Sequence, residues 1–497
     1  MMGAACSPDQ YLSCTDDILP LMDHIRGKRA VILGLGLFGG GEGAARFLAN
    51  RGAEVLVTDQ KQASRLAPAL DRLKKLPINY RLGENRESDL LGADLVVVNP
   101  AVPRTNPMLC SCRDRGIPLT SPMNLFLSLC PATVAAVTGS AGKSTTTVML
   151  GNILRTGRRR VYIGGNMGIS LLPDLGEISE DDLVVLELSS VQLEDAAHLP
   201  WSPHLAVVTN ITPNHLDRYG TFEAYAAAKK NIIRHQTPAD AMVLNAQNQT
   251  LMKWAGESPS AHTLYFDVEG ELAAERPGTM LRGGRLMWQV DGSQQVICSA
   301  ERVPLPGRHN VANALAAAAA ARWVGIPAQD IRSALTRCDG LEHRLEECAT
   351  VDGITFYNDS DSTTPESAIA GLKSFSTPIT LIAGGYNKDL DLSRLYDTIV
   401  QEAEVLITLG TSGPDIAQGT REAALRLGHE PVIREAQTLE KAIHIAHDLS
   451  MPGSTVLFSP ACASFDMFEN FAQRGRRFKE LVQRLARDDE QRPAECA

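Results

Sequence analysis

The sequence predicts an α/β fold of three domains, and three observations support this prediction. Strand-like apolar runs alternate with helical patterns along the chain, which is typical of doubly wound sheets. The length of 497 residues suggests about three domains at roughly 150 residues each. With 44% hydrophobic and 21% charged residues, each domain can bury its own core. We place the boundaries near residues 130 and 340.

The first predicted domain, residues 1–130, is a Rossmann-like unit preceded by an extension of about 25 residues. Its segment "RAVILGLGLFGGGEGAARFLANRGAEVLVTD" predicts a strand, a glycine turn, a helix and a second strand that ends at Asp59. Gly34, Gly36 and Gly39 form a GxGxxG pattern, which lets phosphate approach a helix N-terminus. The pattern alone fits a nucleotide-type ligand, including the nicotinamide cofactor of a dehydrogenase, or a purely structural turn. A third strand-like run is "ADLVVVNPAVP".

The second predicted domain, residues 131–340, has the mainly parallel sheet of P-loop ATPases and opens with "VAAVTGSAGKSTTTVML". In such a loop, backbone N–H groups converge on phosphate oxygens, the lysine reaches the outer phosphates and a hydroxyl binds Mg²⁺. The usual loop has four residues between its first glycine and the Gly-Lys pair, whereas two stand here. The loop residues expected at the nucleotide are Gly139, Ser140, Ala141, Gly142, Lys143, Ser144 and Thr145.

Three polar residues follow in this domain. Glu187 ends the strand-like "VVLELSS", His215 follows "HLAVVTNIT", and Lys229 falls in the helix-like "FEAYAAAKKNII". Glu187 is either a metal ligand or a buried polar group that costs free energy. Each of the three residues alone is more often structural than catalytic, but their order after a phosphate loop favours a catalytic role. Further on, "LRGGRLMWQVDG" predicts a small antiparallel addition, and "NVANALAAAAAARWVG" predicts a tightly packed helix.

The third predicted domain, residues 341–497, is a second Rossmann-like unit. Its strand-like runs are "GITFYNDS", "PITLIAGG", "EVLITLG" and "STVLFSP".

The composition excludes several classes of protein. A formal charge of -10, with no long basic block, argues against a general nucleic-acid or membrane-surface binder. The ten cysteines have no repeated spacing that would indicate a zinc site. The N-terminus lacks the charged start and apolar core of a signal peptide, and no run reaches the roughly 20 apolar residues of a membrane span. We expect a cytoplasmic monomer.

The motifs, taken together, resemble those of a known family. "TGSAGKST", "LELSSVQLE", "NITPNHLDRYG", "AYAAAKKNI", "LPGRHNVANALAA", "GLEHRLE", "YNDSDST" and "SPACASFDMFENFAQRG" occur in the order found in Mur ligases, the ATP-dependent amide-forming enzymes of peptidoglycan precursor synthesis. The resemblance runs from about residue 28 to 485. It implies ATP and Mg²⁺ as cofactors, and UDP-N-acetylmuramoyl-L-alanine and D-glutamate as substrates that react through an acyl phosphate.

The resemblance also implies roles for individual residues. The catalytic residues are Lys143, Glu187, His215 and Lys229. The metal ligands are Ser144, Glu187, His215 and a carbamylated Lys229. Besides the phosphate loop, ATP contacts Asn310, Asn313, Arg344 and Asp359. The UDP-sugar contacts Gly36, Leu37, Phe38, Asp59 and Asn166. D-Glutamate contacts Thr363, Lys388, Ser464 and Phe471.

Four departures from the family pattern stand out. Asn is common at Ala141, a small polar residue is usual at Phe38, and "SPG" is common where this chain has "NPAVP". Many D-glutamate-adding members read "NDSKAT" where this chain reads "NDSDST". The acid, Asp361, should repel an acidic acceptor by roughly 1 kcal/mol or more unless it points away or pairs with a lysine such as Lys388.

Other functions remain open at this stage. Another Mur-type or folylpolyglutamate-type ligase would use a different acceptor. A nicotinamide-dependent oxidoreductase would use the GxGxxG turn but would leave the second phosphate loop without a role. A non-catalytic nucleotide-binding regulator would not need the metal-binding residues.

Overall fold

A computed structural model of the chain describes residues 12–13, 15–36, 39–257, 262–338, 340–387 and 390–490. The described chain forms two compact units, of which the first runs to Ser299 and includes Asn313–Leu335. The second consists of Ala300–Ala312 and the chain from Thr336 onward. The first unit contains two sheets and the second contains one, so that each predicted domain carries one sheet. The three-part α/β architecture is confirmed, and the boundaries near residues 130 and 340 stay predictions.

The strands of the first sheet are β1 (Arg29–Leu33), β2 (Glu54–Asp59), β3 (Ile78–Leu82), β4 (Leu95–Val98) and β5 (Leu119–Thr120). The helices in this part of the chain are α1 (Thr15–Asp23), α2 (Gly40–Asn50), α3 (Ala63–Leu73), α4 (Glu87–Leu91), α5 (Pro107–Asp114) and α6 (Pro122–Leu129). All strands are parallel, in the order β3-β2-β1-β4-β5. This is a Rossmann-like order, in which ligands bind where the strand order reverses, at the carboxyl ends of β1 and β4.

The strands of the second sheet are β6 (Thr133–Thr138), β7 (Val161–Gly165), β8 (Leu183–Glu187), β9 (Leu205–Val208), β10 (Ala241–Asn245), β11 (His262–Asp267), β12 (Gly278–Arg282), β13 (Arg285–Val290) and β14 (Ser293–Ser299). The helices are α7 (Lys143–Leu154), α8 (Ser190–Ala196), α9 (Leu216–Tyr219), α10 (Phe222–Lys230), α11 (Gln249–Glu257), α12 (Arg308–Trp323) and α13 (Ala328–Leu335). The order is β14-β13-β12-β11-β10-β9-β6-β8-β7.

The predicted antiparallel addition is present in this sheet. β12 pairs with β13 and β13 with β14 in antiparallel fashion. β12 also pairs in parallel with β11, and therefore the addition continues the main sheet. The alanine-rich helix is confirmed as tightly packed, because residues 314–321 of α12 are completely buried.

The strands of the third sheet are β15 (Glu346–Val351), β16 (Ile354–Asn358), β17 (Ile379–Ala383), β18 (Val405–Thr408), β19 (Val432–Glu435) and β20 (Thr455–Phe458). The helices are α14 (Pro365–Leu372), α15 (Ser393–Glu402), α16 (Gly413–Leu427), α17 (Leu439–Leu449) and α18 (Phe471–Glu490). The order is β15-β16-β20-β17-β18-β19, and only the β15–β16 pair is antiparallel.

One hydrophobic core connects the first two sheets. It contains Ile32 and Val57 of the first sheet together with Val134 and Leu186 of the second. Shared burial of this kind explains why the two sheets belong to a single unit. In the part of the chain that the structure describes, no helix has the length and apolar character required to cross a membrane.

Candidate active site

The phosphate loop connects β6 to α7 and requires glycine at its end. Gly142 stands directly before α7 with φ 80°, a left-handed conformation that side chains disfavour. A Cβ atom at this position would lie 2.3 Å from Asn313 Oδ1. Asn313 Oδ1 also accepts a hydrogen bond of 3.3 Å from Thr146 Oγ1 in the first turns of α7. The predicted ATP residue Asn313 therefore lies directly against the loop.

Ala141 is held through its backbone. The Asn210 side chain accepts from Ala141 N at 2.9 Å and donates to Ala141 O at 3.1 Å. Thr209 Oγ1 donates to the same carbonyl at 2.5 Å. The Ala141 side chain is exposed and takes no part in these hydrogen bonds, so they do not depend on whether residue 141 is alanine or asparagine.

Lys143 and Ser140 form hydrogen bonds that hold the phosphate loop together. Lys143 Nζ donates to Ser140 O at 3.3 Å. Ser140 Oγ donates to Thr212 O and accepts from Thr212 N, both at 2.9 Å, which ties the loop to the segment after β9. Ser144, the hydroxyl residue expected at Mg²⁺, is half-buried in the first turn of α7.

Lys229 is buried behind this loop on α10. Its Nζ donates to Thr138 Oγ1 at 3.3 Å and lies 5.1 Å from the centre of the Tyr225 ring. Burial holds the pKa of the Lys229 amine well below its usual range, the positive charge of Lys143 lowers it further, and the charge of Glu187 opposes this shift. The structure thus brings three of the four predicted catalytic residues within electrostatic reach of one another.

Glu187, at the end of β8, has one oxygen engaged and one without a hydrogen-bond partner among the described residues. Its Oε1 accepts from Asn166 Nδ2 at 2.9 Å, and Asn166 N donates to Glu187 O at the same distance. Oε2 is buried with no such partner. A buried carboxylate oxygen in this condition costs free energy, and a hard cation such as Mg²⁺ would compensate that cost. The residues present therefore fit a magnesium ion.

His215 stands at the start of the single-turn helix α9 with φ 53°, and it is exposed. Its ring centroid lies 6.1 Å from that of Tyr225. No group of three or more His, Cys, Asp or Glu side chains within the described ranges is arranged to hold a metal ion. A magnesium site formed by the predicted ligands would therefore need Ser144 and Lys229 in addition to Glu187 and His215.

Tyr225 connects these residues, and the sequence analysis did not identify it. It is buried on α10, its hydroxyl lies 3.1 Å from Ser140 Oγ, and its ring faces both Lys229 and His215. Burial raises the pKa of Tyr225 to about 12, so the hydroxyl keeps its proton. Its position four residues before Lys229 on one helix face is the signal that could have indicated it.

Asp59 organises the GxGxxG turn of the first sheet. Its Oδ2 accepts from Leu35 N at 2.9 Å and from Gly36 N at 3.2 Å, and its Oδ1 accepts from Lys61 N at 2.8 Å. The predicted residues Leu37 and Phe38 lie outside the described residues.

The loop that carries Asn166 packs against the start of α2. A Cβ atom at Gly39, the last glycine of the turn, would lie 2.9 Å from Gly168 O, and one at Gly43 would lie 2.2 Å from Ser170 Oγ. The structure thereby brings the glycine turn of the first sheet next to the Asn166 loop of the second.

Arg344, in the second unit, lies between two residues with left-handed backbones, His343 at φ 68° and Leu345 at φ 44°. Its guanidinium forms an ion pair with Asp361. Asp361 N donates to His343 O at 3.0 Å, and Leu345 N donates to Asp359 Oδ1 at 3.2 Å. The unusual acid of the "NDSDST" motif is therefore neutralised by Arg344, and Lys388 lies outside the described residues.

Asp359 and Asn310 are both buried in the second unit. Asp359 Oδ2 accepts from Ser362 Oγ at 2.5 Å and from Ser459 Oγ at 2.7 Å. Burial raises the pKa of Asp359 to about 6, although these hydrogen bonds and the charge of Arg344 act in the opposite direction. Asn310 Nδ2 donates to Pro306 O at 2.7 Å.

Arg474 connects the segments that carry the predicted acceptor residues Thr363, Ser464 and Phe471. It is buried on α18 and donates to Ser360 O at 2.9 Å and to Cys462 O at 3.1 Å. Ser360 Oγ in turn donates to Phe471 O at 2.8 Å. Burial lowers the pKa of Arg474 to about 10. Its place in the quoted "FAQRG" segment was the only signal of this role in the sequence.

A phosphate loop, a buried carboxylate and a buried amine on a mainly parallel sheet, together with two Rossmann-like sheets, define a multidomain α/β nucleotide-binding enzyme. Three family models match the chain: the Mur ligase MurD-like N-terminal domain at residues 28–121, the Mur ligase middle domain at 137–321 and the Mur ligase glutamate ligase domain at 343–462. The chain belongs to the Mur ligase family.

Curated relatives match over nearly their whole length. The chain is 39% identical over 462 residues to a UDP-N-acetylmuramoylalanine--D-glutamate ligase of Symbiobacterium thermophilum, covering 92% of this chain and 98% of the relative. It is 41% identical over 467 residues to the protein of the same name from a Roseiflexus species, covering 93% and 99%.

Solved structures show the same fold. The UDP-N-acetylmuramate-alanine ligase MurC of Thermotoga maritima has a TM-score of 0.62 at 21% identity, covering 92% of this chain and 99% of that one. A MurF ligase of Thermotoga maritima in complex with ADP has a TM-score of 0.57 at 17% identity, covering 97% and 99%.

The geometry of Gly142 leads to a prediction about nucleotide binding. We expect Gly142→Ala to weaken ADP binding roughly 10-fold or more, because the methyl group strains the backbone and displaces Asn313. Isothermal titration calorimetry measures the effect. Gly256→Ala is the matched control, since Gly256 lies on α11 with no atom within 4 Å of an added Cβ. Unchanged ADP affinity in the Gly142 variant would contradict this account of the loop.

The raised pKa of Asp359, about 6 against an ordinary 3.8, predicts a pH-dependent stability. The folded state binds the proton of Asp359 more tightly than the unfolded chain does. This binding therefore stabilises the folded state fully below about pH 4, and the stabilisation is lost as the pH rises through 6. Relative to Asp359→Asn, the wild type should lose at most roughly 3 kcal/mol of unfolding free energy over that range. Urea unfolding at several pH values measures this, with the exposed Asp448→Asn as control. A pH-independent difference would refute it.

Proposed function

We propose that this chain is an ATP-dependent ligase that adds D-glutamate to UDP-N-acetylmuramoyl-L-alanine in peptidoglycan precursor synthesis. The observation that carries the proposal is the convergence of Lys143, Glu187 and Lys229 at the carboxyl ends of neighbouring parallel strands. Relatives that bear this name and match almost end to end support the choice of substrates.

The reaction needs an activated carboxylate, because a free carboxylate is a poor electrophile. The terminal carboxylate of the UDP-sugar-alanine attacks the γ-phosphorus of ATP, which forms an acyl phosphate and releases ADP. The amine of D-glutamate then attacks the acyl carbon, and the tetrahedral intermediate collapses to an amide and inorganic phosphate, with loss of a proton from nitrogen. Since anions meet in both steps, positive charge such as that of Lys143 at the start of α7 lowers the barrier.

Mg²⁺ would be held by Ser144, Glu187, His215 and Lys229, and when bound it neutralises charge on the phosphates. The role of Lys229 needs a chemical change, because an ammonium cannot bind a cation. Its buried amine with a lowered pKa is readily deprotonated, and a neutral amine can attack CO₂ to form a carbamate with loss of one proton. The carbamate supplies the oxygen ligands that the amine lacks.

The remaining predicted contacts are part of the same proposal. ATP would be held by the phosphate loop (Gly139, Ser140, Ala141, Gly142, Lys143, Ser144, Thr145) with Asn310, Asn313, Arg344 and Asp359. The UDP-sugar would lie at Gly36, Leu37, Phe38, Asp59 and Asn166. D-Glutamate would lie at Thr363, Lys388, Ser464 and Phe471. We also propose that the protein acts as a cytoplasmic monomer.

Two features support D-glutamate and the ligase class. Because Asp361 pairs with Arg344, its charge is largely cancelled and its repulsion of an acidic acceptor is reduced. A nicotinamide-dependent oxidoreductase would have no use for Lys143 beside the buried Glu187 and Lys229, and so this alternative is not favoured.

Phosphate release tests the proposal. We expect release to require ATP, UDP-N-acetylmuramoyl-L-alanine and D-glutamate together, with mass spectrometry confirming the amide product. A panel with L-alanine, a diamino acid and a dipeptide in place of D-glutamate tests the acceptor. Release without D-glutamate, or greater product formation with another acceptor, would refute the assignment.

The proposed carbamate gives a separate prediction. Lys229→Ala should lower kcat about 100-fold, which is the upper end of the effect expected when a group that supports a bound metal is lost. Added acetate or propionate should restore part of the activity. The neighbouring Lys230→Ala is the matched control, because Lys230 pairs with Glu257 at the surface. Full activity of the Lys229 variant without added acid would rule out this role.

A further inference from the structure

The segment of residues 214–220, here called the His215 turn, cannot maintain its own conformation. Its helix α9 has only four residues, and a single helical turn is unstable in isolation. It begins with the left-handed backbone of His215, which costs free energy for a residue that is not glycine. The position of the His215 ring therefore depends on contacts from outside the turn.

Glu194 on α8 supplies such contacts at the end of the turn. Its Oε2 lies 3.6 Å from Arg218 Nη2 and accepts a hydrogen bond of 3.4 Å from Tyr219 OH. The Tyr219 ring packs edge to face on Tyr225, with 5.6 Å between the ring centroids. One carboxylate oxygen thus holds both residues that complete α9.

The other oxygen of Glu194 is bound by Arg104, which comes from the loop after β4. Arg104 Nη1 lies 2.6 Å from Glu194 Oε1, and Nη2 lies 2.6 Å from Asp195 Oδ1. The Asp195 side chain is fully buried and that of Arg104 is only 12% exposed, so solvent screens the Arg104–Asp195 pair little. Asn124 Nδ2 on α6 also donates to Asp195 O at 2.9 Å. The end of α8 is in this way fixed to the loop after β4 and to α6 of the first sheet.

We propose that Glu194 is a positioning residue for His215, and that Arg104 acts through Glu194 by fixing its carboxylate. The inference rests on the proposed role of His215 in holding a divalent cation. Glu194 joins three segments: the loop after β4, the helix that follows Glu187, and the His215 turn. Its loss would leave the fold intact and would free the turn to move.

Glu194→Gln tests this directly, because the amide keeps the shape and removes the charge. Hydrogen–deuterium exchange of peptides that cover residues 212–222 should be about 10-fold faster in the variant. Binding of Mn²⁺, used as a probe together with a non-hydrolysable ATP analogue and followed by electron paramagnetic resonance, should be about 10-fold weaker. Glu223→Gln, an exposed acid on α10, is the matched control and should change neither quantity.

Neither measurement uses ligase activity, so failure of the proposed reaction is distinguishable from failure of this inference. Unchanged exchange and unchanged Mn²⁺ binding in Glu194→Gln would overturn it. Equal changes in Glu223→Gln would do the same.

Arg104→Gln tests the second part of the inference. It should change exchange and Mn²⁺ binding in the same direction, and the double variant with Glu194→Gln should be no worse than Glu194→Gln alone. Additive effects would show that Arg104 does not act through Glu194. If Arg104→Gln does not fold, Asp195→Asn replaces it, since it removes the other charge that holds Arg104.

Discussion

The buried amine of Lys229, close to the charges of Lys143 and Glu187, is the constraint on which the first unit depends. Burying ionisable groups costs free energy unless polar partners surround them. Thr138 contacts the Lys229 amine, Asn166 contacts the Glu187 carboxylate, and the ring of Tyr225 faces the amine. The unit therefore places polar side chains deep behind its phosphate loop, where a purely structural domain would place apolar ones.

Parallel strand order explains why these residues meet. β6, β8 and β9 are adjacent and run in the same direction, so the loop after β6, Glu187 and the segment before His215 leave one edge of the sheet. α8 begins beside Glu187 and carries Glu194, through which the His215 turn is linked to the first sheet. The two sheets also share one hydrophobic core.

The second unit shows how an unusual residue is accommodated. Asp361, which departs from the family pattern in the sequence, would carry an uncompensated charge if no cation lay beside it. Its pairing with Arg344 neutralises the charge. The backbone on either side of the arginine is held by a hydrogen bond from Asp361 N to His343 O and by one from Leu345 N to the Asp359 carboxylate. The buried Arg474 on α18 likewise connects two segments, because it donates to the carbonyl oxygens of Ser360 and Cys462.

The sequence by itself determined the α/β class, the phosphate loop and the order of Glu187, His215 and Lys229, because periodic apolar runs and short motifs are local properties of a chain. It did not reveal Tyr225, Arg474 or the partner of Asp361, nor that two of the three sheets share a core. These depend on which side chains meet across long separations, as Arg104 and Glu194 do across 90 residues of chain. Such contacts between side chains that are distant in the sequence are determined only by the packed tertiary structure, because burial and charge pairing act between residues that are close in space.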